Sequence, residues 1–220
     1  MIPKGVRVKL LILDFDGVLV ESVKLKQKVF TEVFSTLLDD KVAKDAIDFS
    51  LKFDSLSKDI KFKFAISIQK SNDSDKLTVE NLDYKFNEIM EKQRHDICEV
   101  DGASELLSFL NGKIPIHICS SAPKDEILGL LRKFSWESFI KEIHSTSNKT
   151  DTINGILVDL KLKPHDVVFV GDSENDEMAA TQNGIWFIPR IGSGNNYATE
   201  LNSVKNMCEL ISILMLEYEL

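Results

Sequence analysis

Asp14 and Asp16 stand two residues apart where an apolar run, VRVKLLIL at 6–13, ends in DFDG. On a strand, the period of two puts both carboxylates on the same side. Two carboxylates that close repel each other unless a proton or a cation lies between them. Mg²⁺, a hard ion that prefers oxygen ligands, suits such a pair. Taken alone, such a pair reads more readily as a strand-ending turn or helix cap, so it gains meaning only from its company. The run IPIHIC ends in Ser120 and Ser121, just before a helix start. A hydroxyl beside free backbone N–H groups at a helix N-terminus can hold an anion. A third apolar run, VVFV, ends in Gly171 and Asp172, and Asp176 follows near a helix start. An acidic first turn favoured by the helix dipole explains that segment taken alone. Three strand ends bearing Asp, Ser and Asp are much harder to explain by capping.

Lys149, in TSNKTD, reads by itself as a solvated surface charge. Beside the other groups it is the cation that a phosphoryl oxygen needs. Together these residue types make a phosphoryl-transfer set. An Asp can act as nucleophile and form an aspartyl-phosphate. Mg²⁺ would neutralise nucleophile and phosphate and align them. Ser and Lys would hold the equatorial oxygens. A second Asp could protonate the leaving group and then activate water.

The elements that must position these residues are legible in outline. Strand-like runs are expected at 6–13, Pro115–Cys119, Val167–Val170 and Ile185–Ile188, with helices over Gly102–Leu110, Asp125–Phe134, Thr150–Leu160 and Asn175–Gln182 between them. Gly184 is the expected C-cap of the last of these. Alternating strands and helices predict an α/β, Rossmann-like parallel sheet with helices on both faces. Residues 21–100 differ. Apolar positions such as Val29, Val33, Phe34, Leu37 and Leu38 recur at helical spacing, and acidic and basic residues alternate between them. This predicts an all-helical insertion, with SNDSD at 71–75 as a helix–helix loop. The expected division is therefore 1–20 and 101–220 as the α/β core and 21–100 as a helical domain. A terminal helix over Met207–Leu220 is expected to pack on the sheet.

The chain has 220 residues, 43% hydrophobic and 28% charged, the balance of an ordinary globular protein. Its net charge is −8, which argues against non-specific binding to nucleic acid. Three widely spaced cysteines, Cys98, Cys119 and Cys208, predict neither a disulfide framework nor a structural zinc site, and Cys119 and Cys208 are expected to be packing residues. The apolar run Leu10–Leu13 is too short for a signal-peptide core, and no segment approaches the roughly 20 apolar residues of a membrane span. No membrane partner and a cytoplasmic location are therefore expected. His117, in a strand run, reads as a satisfied core residue.

The motifs DFDGVLVES, CSS, Lys149 and GDSENDEMAA, in this order, resemble those of the haloacid dehalogenase superfamily. The resemblance implies that Asp14 is the nucleophile and Asp16 the general acid/base, and that Ser120 and Lys149 bind phosphate, with Ser121 beside them. It implies that Mg²⁺ is held by Asp14, the backbone carbonyl of Asp16 and Asp172, with Asp176 in support. Many relatives follow the lysine with proline, where this chain has Thr150. Asp at position 16 points to phosphate monoester hydrolysis or phosphomutase chemistry. The insertion is similar to the helical cap of the phosphoglycolate phosphatase-like and β-phosphoglucomutase-like branches. The implied function is a Mg²⁺-dependent phosphatase for a small phosphorylated metabolite such as a sugar or polyol phosphate, acting as a monomer or homodimer. A β-phosphoglucomutase-type phosphomutase is the alternative. The stretch 53–64, FDSLSKDIKFKF, is similar to cap segments of phosphatases associated with bacterial surface polysaccharides, which would turn Lys58 and Lys61 to the substrate. Read by spacing alone, both lysines lie on a solvated helix face. A signalling receiver domain shares the Asp, Ser/Thr and Lys chemistry, but it is shorter and separates its phosphorylated Asp from its acidic pair. A catalytically dead binding module is disfavoured because every motif residue needed for turnover is present.

Overall fold

The computed structural model describes residues 7–69, 77–192, 194, 197–199 and 202–217. The expected loop at 71–75 lies outside them. The described residues divide into two compact units, Met1–Glu21 with Glu99–Leu220, and Ser22–Cys98.

The first unit is built on five parallel strands: β1 Leu10–Leu13, β2 Ile116–Ser120, β3 Glu142–Ser145, β4 Val167–Gly171 and β5 Trp186–Pro189. Their spatial order is β3-β2-β1-β4-β5. β1, β2 and β4 are buried along their whole length, which is why they read as continuous apolar runs. β1 is shorter than the expected 6–13. β3 was not expected at all. Its sequence, EIHS, has no apolar run, because an edge strand leaves its end residues in water.

Among its described residues this unit also has five α-helices: α5 Ala103–Leu110, α6 Lys124–Lys133, α7 Lys149–Asp159, α8 Glu174–Asn183 and α9 Met207–Glu217. Right-handed crossovers put α5 and α6 on one face of the sheet and α7 and α8 on the other. On the latter face, Leu10, Ile12, Cys119, Val167 and Phe169 form one core with Ile153, Ile156, Ala179 and Ala180. α8 ends at Gly184, whose φ of 66° is the left-handed conformation expected of that cap. The terminal helix α9 packs against α5, and its Met207, Leu210 and Leu214 are buried. Cys208, at its start, is exposed, contrary to the packing role expected for it.

Among its described residues, the second unit contains four α-helices: α1 Val23–Leu37, α2 Asp40–Lys52, α3 Lys58–Ile68 and α4 Val79–Gln93. Phe30, Phe34, Phe62 and Phe86 are buried and meet at ring-centroid distances of 4.7–6.2 Å. This aromatic cluster gives the charge-rich segment its core. Lys61 is not on a solvated face. It is 4% exposed, its ammonium lies 4.6 Å from the Phe30 ring centroid, and it donates to the Asp54 carbonyl at 2.9 Å. Lys58 forms an ion pair with Asp83 at 2.5 Å. Among the described residues, no helix is long and apolar enough to cross a membrane.

Candidate active site

The chain enters the sheet at β1, adds β2 and β3 to one side, then returns to place β4 and β5 on the other. The strand order therefore reverses between β1 and β4. In open α/β sheets, ligands bind outside the carboxyl ends of the strands at such a switch point. Asp14 ends β1 and Asp172 follows β4, and the Asp14 N–H donates to the Val170 carbonyl at 2.9 Å, which ties the two strand ends together.

The carboxylates of Asp14, Asp172 and Asp176 offer oxygens that all lie within 4.8 Å of one another, and all three residues are buried. Lys149 joins them. Its Nζ is 2.9 Å from Asp14 Oδ2 and 2.5 Å from Asp176 Oδ1. One ammonium among three buried carboxylates leaves the cluster negative, and a negative cluster removed from water calls for a cation. The donor set is hard and anionic, so it fits Mg²⁺. Burial pushes the Asp14 pKa up to about 6; Lys149 pulls it down, and Asp176 and Asp16 add to the rise. Burial disfavours the Lys149 ammonium, but the charges of Asp14 and Asp176 outweigh it and hold its pKa above the ordinary lysine range. The site lysine is charged at any working pH.

Asp176 is tightly held. Its Oδ2 accepts from the Ser173 hydroxyl at 2.6 Å, the Ser173 N–H at 3.1 Å and the Asp172 N–H at 3.2 Å, while Oδ1 faces Lys149. Ser173 and Asp176 form a reciprocal capping box at the start of α8. The capping role weighed from the sequence is thus real, and Asp176 carries the lysine as well. Both its oxygens are committed to donors, which suits it to orient the site. Gly171 is required by this geometry. A Cβ there would sit inside contact distance of the Asp176 Cβ and 2.8 Å from its Oδ2.

Asp16 lies outside the three-carboxylate group by its side chain and is partly exposed, in the loop after β1. Ser120 closes β2, the strand beside β1, and is 1% exposed; its Oγ accepts from the Ala122 N–H at 3.4 Å. Ser121 is exposed. Lys149 is the first residue of α7 rather than a residue preceding it, with Asn148 as the cap that accepts from the Asp151 N–H.

One contributor was not visible in the sequence. Arg190, at the end of β5, is 4% exposed and makes a two-pronged pair with Glu21 through Nη1 and Nη2. Its Nη1 also donates to the Gly17 carbonyl at 3.1 Å, and its N–H to the Gly171 carbonyl at 2.7 Å. Arg190 thus braces the loop that carries Asp16 to the end of β4. The only signal was a charge directly after the strand run, in WFIPR. Cys119, by contrast, is inert: burial pushes its thiol up to about 12.

The family model for haloacid dehalogenase-like hydrolases matches residues 11–189, a span that contains every residue of this cluster. The chain belongs to the haloacid dehalogenase-like hydrolases. No curated protein matches it. Several solved structures share the fold of this haloacid dehalogenase-like hydrolase. A haloacid dehalogenase-like family hydrolase from Streptococcus pneumoniae is 18% identical, with a TM-score of 0.69 over 94% of this chain and 98% of that one. A predicted phosphoglycolate phosphatase from Haemophilus somnus is 17% identical, with a TM-score of 0.74 over 94% and 97%. CbbY from Rhodobacter sphaeroides, solved in complex with phosphate, is 17% identical, with a TM-score of 0.71 over 92% and 96%.

Proposed function

We propose that this hydrolase is a Mg²⁺-dependent phosphatase for a small phosphomonoester, such as a sugar or polyol phosphate, and that it acts through an aspartyl-phosphate. The observation that carries the reading is the Lys149 ammonium shared by Asp14 and Asp176, next to Asp172 at the β1/β4 switch point. Such a cluster pairs a carboxylate nucleophile with the positive charge that a phosphoryl group needs. Among structural relatives, CbbY has been solved with phosphate and with a xylulose bisphosphate, which supports a sugar phosphate as the class to test first.

In the proposed reaction, Asp14 attacks phosphorus through a carboxylate oxygen, and the ester P–O bond breaks. Asp16 gives its proton to the departing alcohol oxygen. Lys149 and the Ser120 hydroxyl hold the equatorial phosphoryl oxygens, with Ser121 at the rim. Water then attacks the aspartyl-phosphate, Asp16 takes the water's proton, and inorganic phosphate leaves Asp14 restored. The side chains of Asp14 and Asp172 and the carbonyl of Asp16 would hold Mg²⁺, which when bound neutralises charge on nucleophile and phosphate. Asp176 keeps Lys149 in place. The helical unit Ser22–Cys98 would serve as the cap that excludes water and selects the substrate.

The test is phosphate release from a panel of sugar, glycerol and glycolate phosphates and nucleotides, with and without Mg²⁺. Wild type should release phosphate only with the metal. Asp14→Asn and Asp16→Asn should lose several orders of magnitude of turnover while keeping the fold by circular dichroism. Isomerised product without phosphate release would replace hydrolysis by phosphomutase chemistry.

A further inference from the structure

A second group of metal-ligating side chains lies at the edge of the sheet. In the parallel pairing of β2 with β3, His117 stands opposite Glu142 and Cys119 opposite His144. Alternation along β3 then puts Glu142 and His144 on the face that carries His117. The side chains converge. His144 Nε2 is 3.2 Å from His117 Nδ1 and 3.9 Å from Glu142 Oε2, and one ligand atom from each residue lies within 4.8 Å of the others. His117 is buried, His144 is partly buried and Glu142 is exposed, so the group is anchored on its inner side and open to water on its outer side.

We propose that His117, Glu142 and His144 form a binding site for a zinc-class dication, separate from the acidic cluster at the strand ends. Two nitrogens bound to one tetrahedral zinc at about 2.0 Å sit about 3.3 Å apart, close to the separation found here. Two imidazoles and a carboxylate make a three-ligand protein set, with a fourth position for water on the solvent side. Nitrogen ligands favour zinc and its neighbours over Mg²⁺, which the all-oxygen cluster suits better. The two sites therefore sort two kinds of ion. Along β2, His117 is three residues from Ser120, roughly 10 Å at strand rise, so an ion here would not touch the reacting atoms. It would instead join an edge strand to its neighbour and so staple β3 to the sheet.

The charges around the site set a condition. Lys141 acts on His117 and Lys124 on His144, and both oppose a cation. Glu142 supplies the compensating charge, so zinc binding should depend on it as well as on the imidazoles. The competing arrangement is a plain hydrogen bond between two neutral rings, one nitrogen donating to the other.

The experiment is calorimetric and thermal titration of the intact protein with Zn²⁺ in saturating Mg²⁺, with Co²⁺ as a visible-absorption probe. One equivalent of Zn²⁺ should bind and raise Tm, and Co²⁺ should give the strong bands of a tetrahedral site. His144→Gln should abolish the Tm shift, and Glu142→Gln should weaken binding roughly tenfold or more. Asp172→Asn should leave both signals intact. Glu142 is exposed, so its variant keeps the test sharp if a histidine variant does not fold. The proposal is overturned if Zn²⁺ leaves wild type unchanged. It is also overturned if Glu142→Gln binds like wild type, or if Asp172→Asn abolishes binding.

Discussion

Lys149 Nζ lies 2.5 Å from Asp176 Oδ1, and Asp176 is wholly buried with three further donors on its other oxygen. The lysine that faces Asp14 is therefore aimed by an aspartate that has its own capping work to do at the start of α8. Asp176→Asn keeps an acceptor for the Ser173 donors but removes the charge opposite the ammonium. Lys149 would then lean on Asp14 alone and drift from the phosphoryl position. Turnover should fall about 10- to 100-fold, the usual cost of losing an orienting partner. Steady-state phosphate release should show the loss mainly in kcat.

Gly171→Ala tests the same contact from the other side. The added methyl would occupy the space of the Asp176 side chain, which cannot swing away because every oxygen of it is held. Overpacking of this kind costs on the order of 1–3 kcal/mol. Thermal unfolding should show the lowered Tm, and turnover should fall with it. A variant as stable and active as wild type would refute the close approach.

Arg190 predicts a difference between two cations. Its guanidinium serves both Glu21 and the Gly17 carbonyl, with its Nε on the Lys205 carbonyl at 3.1 Å. An ammonium cannot make that fork. Arg190→Lys should therefore behave nearly as badly as Arg190→Ala, with reduced activity and Tm. Full rescue by lysine would mean that charge alone matters.

Lys61 gives the pH prediction. Burial lowers its pKa to about 8, with Lys26 adding to the fall and Asp54 opposing it. The unfolded lysine titrates at the ordinary value of 10.5. Between these values the unfolded chain holds a proton that the folded protein has released, so this residue makes stability rise with pH over that window. Below about pH 8 the penalty for burying the ammonium is present in full. Lys61→Met should raise stability at pH 7 and flatten the rise between about pH 8 and 10.5, as read by urea unfolding across pH. A steeper rise in the variant would contradict the burial of the charge.

The strand ends were legible because a strand buried on both faces must be a continuous apolar run, and a polar residue that ends one is conspicuous. Asp14, Ser120 and Asp172 stand out for that reason, and the spacing of Val29, Val33 and Phe34 marks a helical segment in the same way. β3 was not legible. Its short sequence, half in water, carries no such contrast, and with it went the pairing that brings His144 to His117. The solvated face expected for Lys61 failed because Phe30, from another helix, covers its side chain.

The sequence by itself determined the family, the types of the elements with strong periodicity and the residue types at the ends of the buried strands, since these depend on local periodicity and on motifs read in order. The tertiary structure decided which groups meet. Lys149 and Asp176 are 27 positions apart, and Arg190 and Glu21 are 169 apart. Hydrophobic periodicity says which face of an element is buried, but not which charge lies across from it. Only strand order, register and helix packing set the few ångströms over which an ion pair forms.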